Sequence, residues 1–235
     1  MTNIFENNTA EQESLEKLKI TIDAAIRDIN PRIKLGVVGA EVVVRPSGED
    51  IISRMNSAKK DILQNYTSDS IKEAAPISSV SDTYKSIGKD PSRYRGSAEA
   101  LVRRIFAGKD LYNINNIVDI NNIVSLSTLH PVGSYDLDKI QGPVFFTIGK
   151  KADSYKGIGK DIVNTEDLPV FKDSVGVYGS PTSDSERAMI KDQTRRVMMV
   201  IISFNGEGVE DGIKQIKDML VKYAGARILG EGVII

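Results

Sequence analysis

Uncharged hydrogen-bonding side chains are concentrated in one stretch of this 235-residue chain. Between residues 113 and 134 they are Asn113, Asn115, Asn116, Asn121, Asn122, Ser125, Ser127, Thr128, His130 and Ser134. Asparagine is a poor helix former because its amide competes with the backbone for hydrogen bonds. So many amide donors and acceptors favour either a pocket for a small ligand or a polar surface with helix caps.

Residues for the commonest catalytic chemistries are scarce. The chain has no cysteine and one histidine, which excludes thiolate nucleophiles, Cys-ligated zinc and multi-histidine metal sites. His130 precedes a proline and has no nucleophile motif near it, so a hydrogen-bonding role is favoured over base catalysis. The remaining acid–base candidates are carboxylates whose spacing matches no known metal loop. They are Asp119, Asp136, Asp138, Asp184 and Glu186.

The glycine-rich segment 205–212 lies between a predicted strand and a predicted helix, where backbone amides can bind phosphate. However, it contains Glu207, Glu210 and Asp211, which would repel an anion. Its glycine spacing also matches neither the dinucleotide-binding motif nor the P-loop. We therefore predict no cofactor.

The hydrophobic patterns predict a mixed set of helices and strands. The strands are expected at 18–22, 35–44, 144–148, 175–178, 194–204 and 233–235. The helices are expected after Asp23 and at 51–66, 97–108, 114–126 and 209–223. For residues 67–95, the sequence pattern predicts a long connection with one short helix near 70–75. With no repeat or linker, the sequence predicts flexible residues 1–14 and a single α+β domain at 15–235.

Charge is unevenly distributed although the net charge is only −1. Between Lys85 and Lys109 there are seven cations and two acids, a patch that favours contacts with phosphate. The balanced total predicts no general attraction to DNA. The longest apolar run, 197–202, is far shorter than the roughly 20 residues of a membrane span. The sequence thus predicts a soluble, cytoplasmic protein without a membrane partner.

Residues 113–142 resemble a segment of the phenylalanyl-tRNA synthetase beta subunit. That segment has a Val-Asp-x-x-Asn helix, a Gln/His-Pro-x-x-x-(Phe/Tyr)-Asp loop and a Lys/Arg-Ile-x-Gly turn. The matching residues here are Val118, Asp119, Asn122, His130, Pro131, Tyr135, Asp136, Lys139, Ile140 and Gly142. Residues 94–108 are similar to the opening of free-standing proteins built on this module, and the resemblance continues more weakly to about residue 204.

In the synthetase this module is the tRNA-editing domain, which hydrolyses tyrosine wrongly esterified to the phenylalanine tRNA. The resemblance implies a layered α+β sandwich of two β-sheets and a helical layer. Neutral side chains and backbone amides can position water and stabilise an oxyanion, so such a hydrolase needs no catalytic triad. No aminoacylation domain or ATP-binding motif accompanies the module, so an aminoacylating ligase is not predicted. This chain departs from the family at Gly133, which replaces a loop histidine, and in the segment 179–188.

The resemblance implies a pocket between two separate stretches of the chain. The expected catalytic residues are Asn122, Ser134, Gly179 and Ser180. The expected substrate-binding residues are Asp119, His130, Gly133, Tyr178 and Asp184. The expected RNA-binding residues are Arg93, Arg95, Arg103 and Arg104. Asn122 and Ser134 would contact the aminoacyl group, Gly133 would make room for it, and the amides of Gly179 and Ser180 would stabilise the oxyanion.

Three functions are consistent with this pattern. The first is a free-standing deacylase that binds aminoacyl-tRNA and hydrolyses mischarged esters in trans. The second is a non-catalytic module of the same fold that binds RNA, a nucleotide or an amino acid. The third is a metal-assisted hydrolase that uses Asp119 and Asp184. The partner in the first case is tRNA or aminoacyl-tRNA, and the sequence predicts no particular oligomeric state.

Overall fold

A computed structural model describes residues 19–235 of the chain. The predicted flexible segment 1–14 lies outside these residues. The helices are α1 (Ala24–Arg27), α2 (Glu49–Asn65), α3 (Ala75–Ser86), α4 (Ser97–Phe106), α5 (Asn116–Thr128) and α6 (Val209–Ala224). The strands are β1 (Ile20–Ile22), β2 (Lys34–Glu41), β3 (Val132–Asp136), β4 (Val144–Ile148), β5 (Ser154–Lys156), β6 (Ile162–Asn164), β7 (Pro169–Lys172), β8 (Val177–Gly179), β9 (Arg196–Ser203) and β10 (Arg227–Ile234). Two 3-10 turns cover Ser70–Glu73 and Leu137–Lys139.

The strands form two four-stranded sheets and one hairpin. The first sheet has the order β1-β4-β7-β8, with β1 parallel to β4 and the other pairs antiparallel. The second sheet is antiparallel throughout and has the order β10-β2-β9-β3. Strands β5 and β6 pair as a separate hairpin. Strand β3 therefore lies at one edge of the second sheet, where its side chains can reach a cleft.

The second sheet is the middle layer of the molecule. On β9, Met199 and Ile201 face the helices, whereas Met198, Val200 and Ile202 face the first sheet. This alternation follows from the two-residue period of a strand, and it lets one strand contribute to two cores. The helical core contains α2, α5 and α6, and the inter-sheet core is rich in aromatic side chains. The expected α+β sandwich of two sheets and a helical layer is confirmed.

The prediction of a long connection at 67–95 was wrong in part, because helix α3 occupies residues 75–86. Its buried face includes Ser79, Thr83 and Tyr84 as well as aliphatic residues, so the apolar period is weak in the sequence. The Thr83 hydroxyl is satisfied by donating to the Ser79 carbonyl at 2.8 Å. Thr83 Oγ1 in turn accepts from the side-chain amide of Asn30 at 2.9 Å. Polar residues can therefore form this helix face because their hydrogen bonds are made inside the helix and to a neighbouring turn.

The sequence pattern also missed several short strands. The segment expected to be a loop after His130 contains strand β3, and β7 had no predicted counterpart. For β5 and β6 the sequence indicated only a hairpin tip around Gly157 and Gly159. Each of these strands is three to five residues long, too short for a clear alternation. Among the helices within residues 19–235, none is long and apolar enough to cross a lipid bilayer.

Candidate functional site

A cleft of about 460 Å³ lies between helix α5, the edge strand β3 and the loop at residues 180–184. The first residue of α4 and the tip of the β5–β6 hairpin complete its walls. The lining residues are Ser97, Ile114, Val118, Asn121, Asn122, Val132, Ser134, Ile158, Ser180, Thr182, Ser183, Asp184, Met189 and Ile190. The cleft thus combines an aliphatic surface with a few polar groups, as small-ligand sites commonly do.

Four of the nine expected catalytic and substrate-binding residues meet in this cleft. Asn122 and Ser134 lie on one side, and Ser180 and Asp184 lie on the other. Within residues 19–235, the side chains of Asn122 and Ser134 have no hydrogen-bond partner, so both are available to a ligand. The two sequence stretches from which the site was predicted therefore converge, although they are some 50 residues apart.

The asparagines near α5 divide into two groups by function. Asn115 caps the helix by accepting from the amides of Ile117 and Val118 at 3.1 and 3.0 Å. Asn116 joins α5 to the segment after β2, because it donates to the Val43 carbonyl and accepts from the Arg45 amide. These two asparagines hold the helix in place, and Asn121 and Asn122 face the cleft.

Among residues 19–235, two buried oxygen atoms of cleft-lining residues have no hydrogen-bond partner. They are Oδ1 of Asn121, a residue only 9% exposed, and Oγ of Ser97. A buried polar atom without a partner costs on the order of 1–3 kcal/mol. Both residues line the cleft, so their unsatisfied atoms are consistent with a ligand-binding role for this wall.

Asp184 is the titratable group of the cleft. Its Oδ1 accepts from the hydroxyl of Tyr135 at 2.9 Å. Burial raises the pKa of the Asp184 carboxyl to about 7, against the opposing effects of Tyr135, the Ser180 backbone and Lys160. At neutral pH this carboxyl exchanges a proton readily, which suits it to general base catalysis. A strongly shifted pKa in a cleft is also a common property of functional sites.

The loop that carries Asp184 is fixed by internal hydrogen bonds. Ser180 Oγ accepts from the Ser183 amide at 3.0 Å, and the Ser180 amide donates to the Ser183 carbonyl at 2.9 Å. Tyr155 donates to the same carbonyl at 2.6 Å, and the hydroxyls of Tyr84 and Thr182 lie 2.9 Å apart. Since the Ser180 amide is already bonded, it is not free to act as the expected oxyanion donor. Its hydroxyl instead shapes the loop.

Gly133 and Gly179 both lie against the ring of Tyr135. A Cβ atom at Gly133 would lie 2.4 Å from the Tyr135 oxygen, and one at Gly179 would lie 2.5 Å from it. Gly133 and Tyr135 are two residues apart on β3 and share a face, whereas Ser134 points the other way into the cleft. The two glycines therefore make room for the tyrosine that bonds Asp184, and not for the aminoacyl group as expected.

Three further expected site residues do not line the cleft. The Asp119 carboxylate accepts from Ser47 Oγ at 2.5 Å and from the Ile114 amide at 3.1 Å, so it fastens two loops to α5. Burial raises the pKa of Asp119. Tyr178 is fully buried, with its ring centroid 5.1 Å from that of Tyr135. Within the described part of the chain, no three carboxylate or histidine side chains are grouped so that they could hold a metal ion.

His130, the third of these residues for which a site role was expected, lies in the core beside the start of α6. It is 2% exposed, and a Cβ atom at Gly208 would lie 3.1 Å from its Nε2. Burial lowers the pKa of His130 to about 4, with a hydrogen bond to the Glu207 backbone acting in the opposite direction. The buried Nδ1 has no hydrogen-bond partner among the residues that the structure describes. The imidazole is therefore neutral at physiological pH and contributes to folding.

This burial predicts a loss of stability in acid. Between pH 6.5 and about 4 the unfolded chain binds a proton at His130 that the folded protein does not. Folding stability should therefore fall as the pH decreases through this window, by about 3 kcal/mol in total for this group. In His130→Gln, urea unfolding should show a free energy of unfolding that depends less on pH between 6.5 and 4. Equal pH slopes for the parent and the variant would contradict the assignment.

The expected RNA-binding arginines differ in their contacts. Arg103 Nε lies 2.6 Å from a Glu99 oxygen and Arg95 Nε lies 3.7 Å from it, so this buried carboxylate offsets part of their charge. Arg104 lies over the ring of Tyr112, 4.0 Å from its centroid. Arg93 is exposed. The basic patch is thus less uniform than its sequence indicates.

Several cleft residues were not predicted from the sequence. Ser97, Ile114, Asn121, Ile158 and Met189 all line the cleft. The sequence could have indicated Asn121 as a cleft residue, because it belongs to the asparagine-rich segment and is adjacent to Asn122. No sequence feature indicated the aliphatic cleft residues, since isolated apolar residues occur on most protein surfaces.

Comparisons with known proteins relate this chain to a protein family and to a solved structure. The model of the B3/4 domain family matches residues 79–223. Among solved structures, the chain is similar to an N-terminal fragment of the phenylalanyl-tRNA synthetase beta-subunit from Pyrococcus horikoshii, with 16% identity and a TM-score of 0.49. The similarity covers 94% of this chain and 55% of that one, so this chain spans about half the length of the fragment. A search of curated proteins found no match.

Proposed function

Because this chain belongs to the B3/4 domain family, we propose that its cleft binds the aminoacyl end of a tRNA and hydrolyses the ester bond. The observation that carries the proposal is the pairing of a carboxyl of raised pKa with unpartnered polar groups across one cleft. Asp184 is that carboxyl, and Asn122 and Ser134 face it. The products are a free amino acid and a tRNA with a free terminal hydroxyl.

Asp184 acts as the general base in this reaction. The carboxylate takes a proton from water as the water oxygen adds to the ester carbonyl carbon. The bond between that carbon and the ribose oxygen then breaks, and Asp184 returns the proton to the ribose oxygen. The Tyr135 hydroxyl, 2.9 Å from Oδ1, keeps the carboxylate oriented toward the cleft. Proton balance is thereby complete without a second titratable group.

Asn122 and Ser134 supply donors for the developing oxyanion. Both lie in the cleft wall opposite Asp184, and within the described part of the chain neither is bonded to another side chain. Neutral donors that are held in place before the reaction stabilise the charge that appears in the transition state. Asn121 also lines the cleft, and a turn of its side-chain amide would bring its unsatisfied Oδ1 to a hydrogen-bond donor of the substrate, such as the α-ammonium group of the amino acid.

Deacylation of a panel of mischarged aminoacyl-tRNAs tests the proposal. The expected result is release of the amino acid from at least one member at a rate well above the uncatalysed one. A folded protein that releases none of them contradicts the hydrolase function. Saturable binding without hydrolysis would instead show a non-catalytic binding module, and a steep loss of affinity with salt would identify RNA as its ligand.

A further inference from the structure

Tyr112 is an exposed aromatic side chain held in a fixed orientation. The residue is 62% exposed, and the guanidinium of Arg104 lies 4.0 Å from the centroid of its ring. Arg104 is itself positioned, because its Nε donates to the Asp110 carbonyl at 2.6 Å. The contact between Arg104 and the ring is a cation–π interaction, which restrains the ring while much of it stays in solvent.

The ring lies close to the mouth of the cleft. Ile114, two residues after Tyr112, lines the cleft and is itself exposed. On α4, Ser97 lines the cleft and Arg104 follows seven residues later, on the same face of the helix. Seven residues of helix span about 10 Å. Because two residues of chain span at most about 7 Å, Tyr112 is next to the wall of the cleft that Ile114 forms.

We propose that Tyr112 is a stacking platform for the 3′-terminal nucleobase of an RNA whose aminoacyl group occupies the cleft. This inference rests on the proposed function. A flat, exposed ring next to a guanidinium offers the two contacts that single-stranded nucleic acids use, base stacking and cationic attraction. The ester lies on the ribose of the terminal nucleotide, so the base of that nucleotide must sit just outside the cleft. Stacking there would position the ester without reading the RNA sequence.

The contact between Arg104 and Tyr112 also favours RNA over a protein partner. Arg104 and its sequence neighbours Arg103, which is paired with Glu99, and Lys109 belong to the patch at 85–109 that carries seven cations and two acids. An RNA strand leaving the platform along α4 would meet this patch. Phosphate contacts from it would add affinity that weakens as salt is added.

Fluorescence of a short RNA tests the platform directly. The probe is an oligonucleotide that ends in two cytidines followed by a 3′-terminal 2-aminopurine, titrated with the full 235-residue chain. Parent protein should quench the 2-aminopurine, Tyr112→Phe should behave like it, and Tyr112→Ala should lose the quenching and bind about 5- to 150-fold more weakly. Val175→Ala, at another exposed apolar residue, should match the parent.

Kinetics then separate this inference from the proposed function. In Tyr112→Ala the KM for aminoacyl-tRNA should rise while the hydrolysis of an amino acid methyl ester stays unchanged. One outcome is that the parent hydrolyses aminoacyl-tRNA and that Tyr112→Ala has the same quenching and the same KM. The stacking role of Tyr112 is then wrong, and the proposed hydrolase function is retained. If no ester is hydrolysed, the hydrolase is wrong, and the loss of quenching in Tyr112→Ala alone still supports stacking. A parent protein that does not bind the oligonucleotide overturns the platform and leaves a protein partner for this surface.

Discussion

Asp184→Asn is expected to lower the kcat of deacylation by about 10²- to 10⁴-fold, the usual contribution of a positioned general base. Asparagine keeps the shape of the side chain and can still accept from the Tyr135 hydroxyl, but it cannot take a proton from water. For the parent protein, the rate should rise with pH and level off above about 7, where the carboxyl is ionised. The variant should lose that dependence. The measurement is single-turnover release of the amino acid between pH 5 and 9.

The matched control is Asp161→Asn in the β5–β6 hairpin, where the carboxylate is exposed and lies outside the cleft lining. This control should keep the parental rate and pH profile. A parental rate in Asp184→Asn, or an unchanged rise of its rate through pH 7, would contradict the role of Asp184 as base.

The same substitution has a stability effect of known sign. The pKa of Asp184 is raised from 3.8 to about 7 by folding. Between these values the folded protein holds a proton that the unfolded chain releases, so stability from this group is present at low pH and is lost as the pH rises through 7. Relative to the parent, Asp184→Asn should gain Tm at pH 8 compared with pH 5. A loss of Tm at pH 8 would show instead that the charged carboxylate stabilises the fold.

Asn121→Leu is expected to change stability and function in opposite directions. Leucine removes a buried oxygen that has no partner in residues 19–235, so the free energy of unfolding should rise by about 1–2 kcal/mol. The same oxygen is the proposed acceptor for the substrate, so the KM for aminoacyl-tRNA should rise about 10-fold or more. Urea unfolding and steady-state deacylation measure the two effects. This combination is typical of a residue kept for binding at the expense of stability.

Asn116→Leu provides the contrasting case on the same helix. This asparagine pairs with the Val43 carbonyl at 2.9 Å and the Arg45 amide at 3.0 Å. Its loss leaves both groups unpaired and should destabilise the protein by about 2–3 kcal/mol. If Asn121→Leu is destabilising to the same extent as Asn116→Leu, the Asn121 oxygen has a structural partner and the binding role proposed for it is wrong.

The contrast between these asparagines shows how far the sequence can predict the site. Their density marked the segment, and the motif around Asn122 indicated the second wall at 179–184. However, a helix cap, an inter-segment link and a ligand contact require the same amide group, so residue type does not distinguish Asn115, Asn116 and Asn121. That distinction depends on which way each side chain faces in the assembled layers.

The roles of Gly133 and His130 were harder to predict for a related reason. Because Gly133 has no side chain, it leaves room for the ring of Tyr135, two residues along the same strand. Predicting this role would require knowing that the segment is a strand. His130 has the chemistry of a base, but its environment lowers its pKa to about 4. Conversely, Asp184 was expected to bind substrate or a metal, and it is burial beside Tyr135 that raises the pKa of its carboxyl to about 7. The local environment, more than the residue type, selects which titratable group can exchange a proton at neutral pH.

The loop 180–184 is fixed by its own internal hydrogen bonds and by three tyrosines that lie outside the cleft lining. Tyr84, Tyr135 and Tyr155 hold the loop from three different elements. On the opposite wall, Asn115 and Asn116 secure α5, while the side chains of Asn121 and Asn122 have no hydrogen-bond partner in the described residues. On the α5 wall, the residues that hold the helix in place are therefore different from those proposed to bind the ligand. Evolution can exchange the recognising side chains one at a time, so paralogues with the same scaffold should accept different amino acids without an accompanying cost in folding.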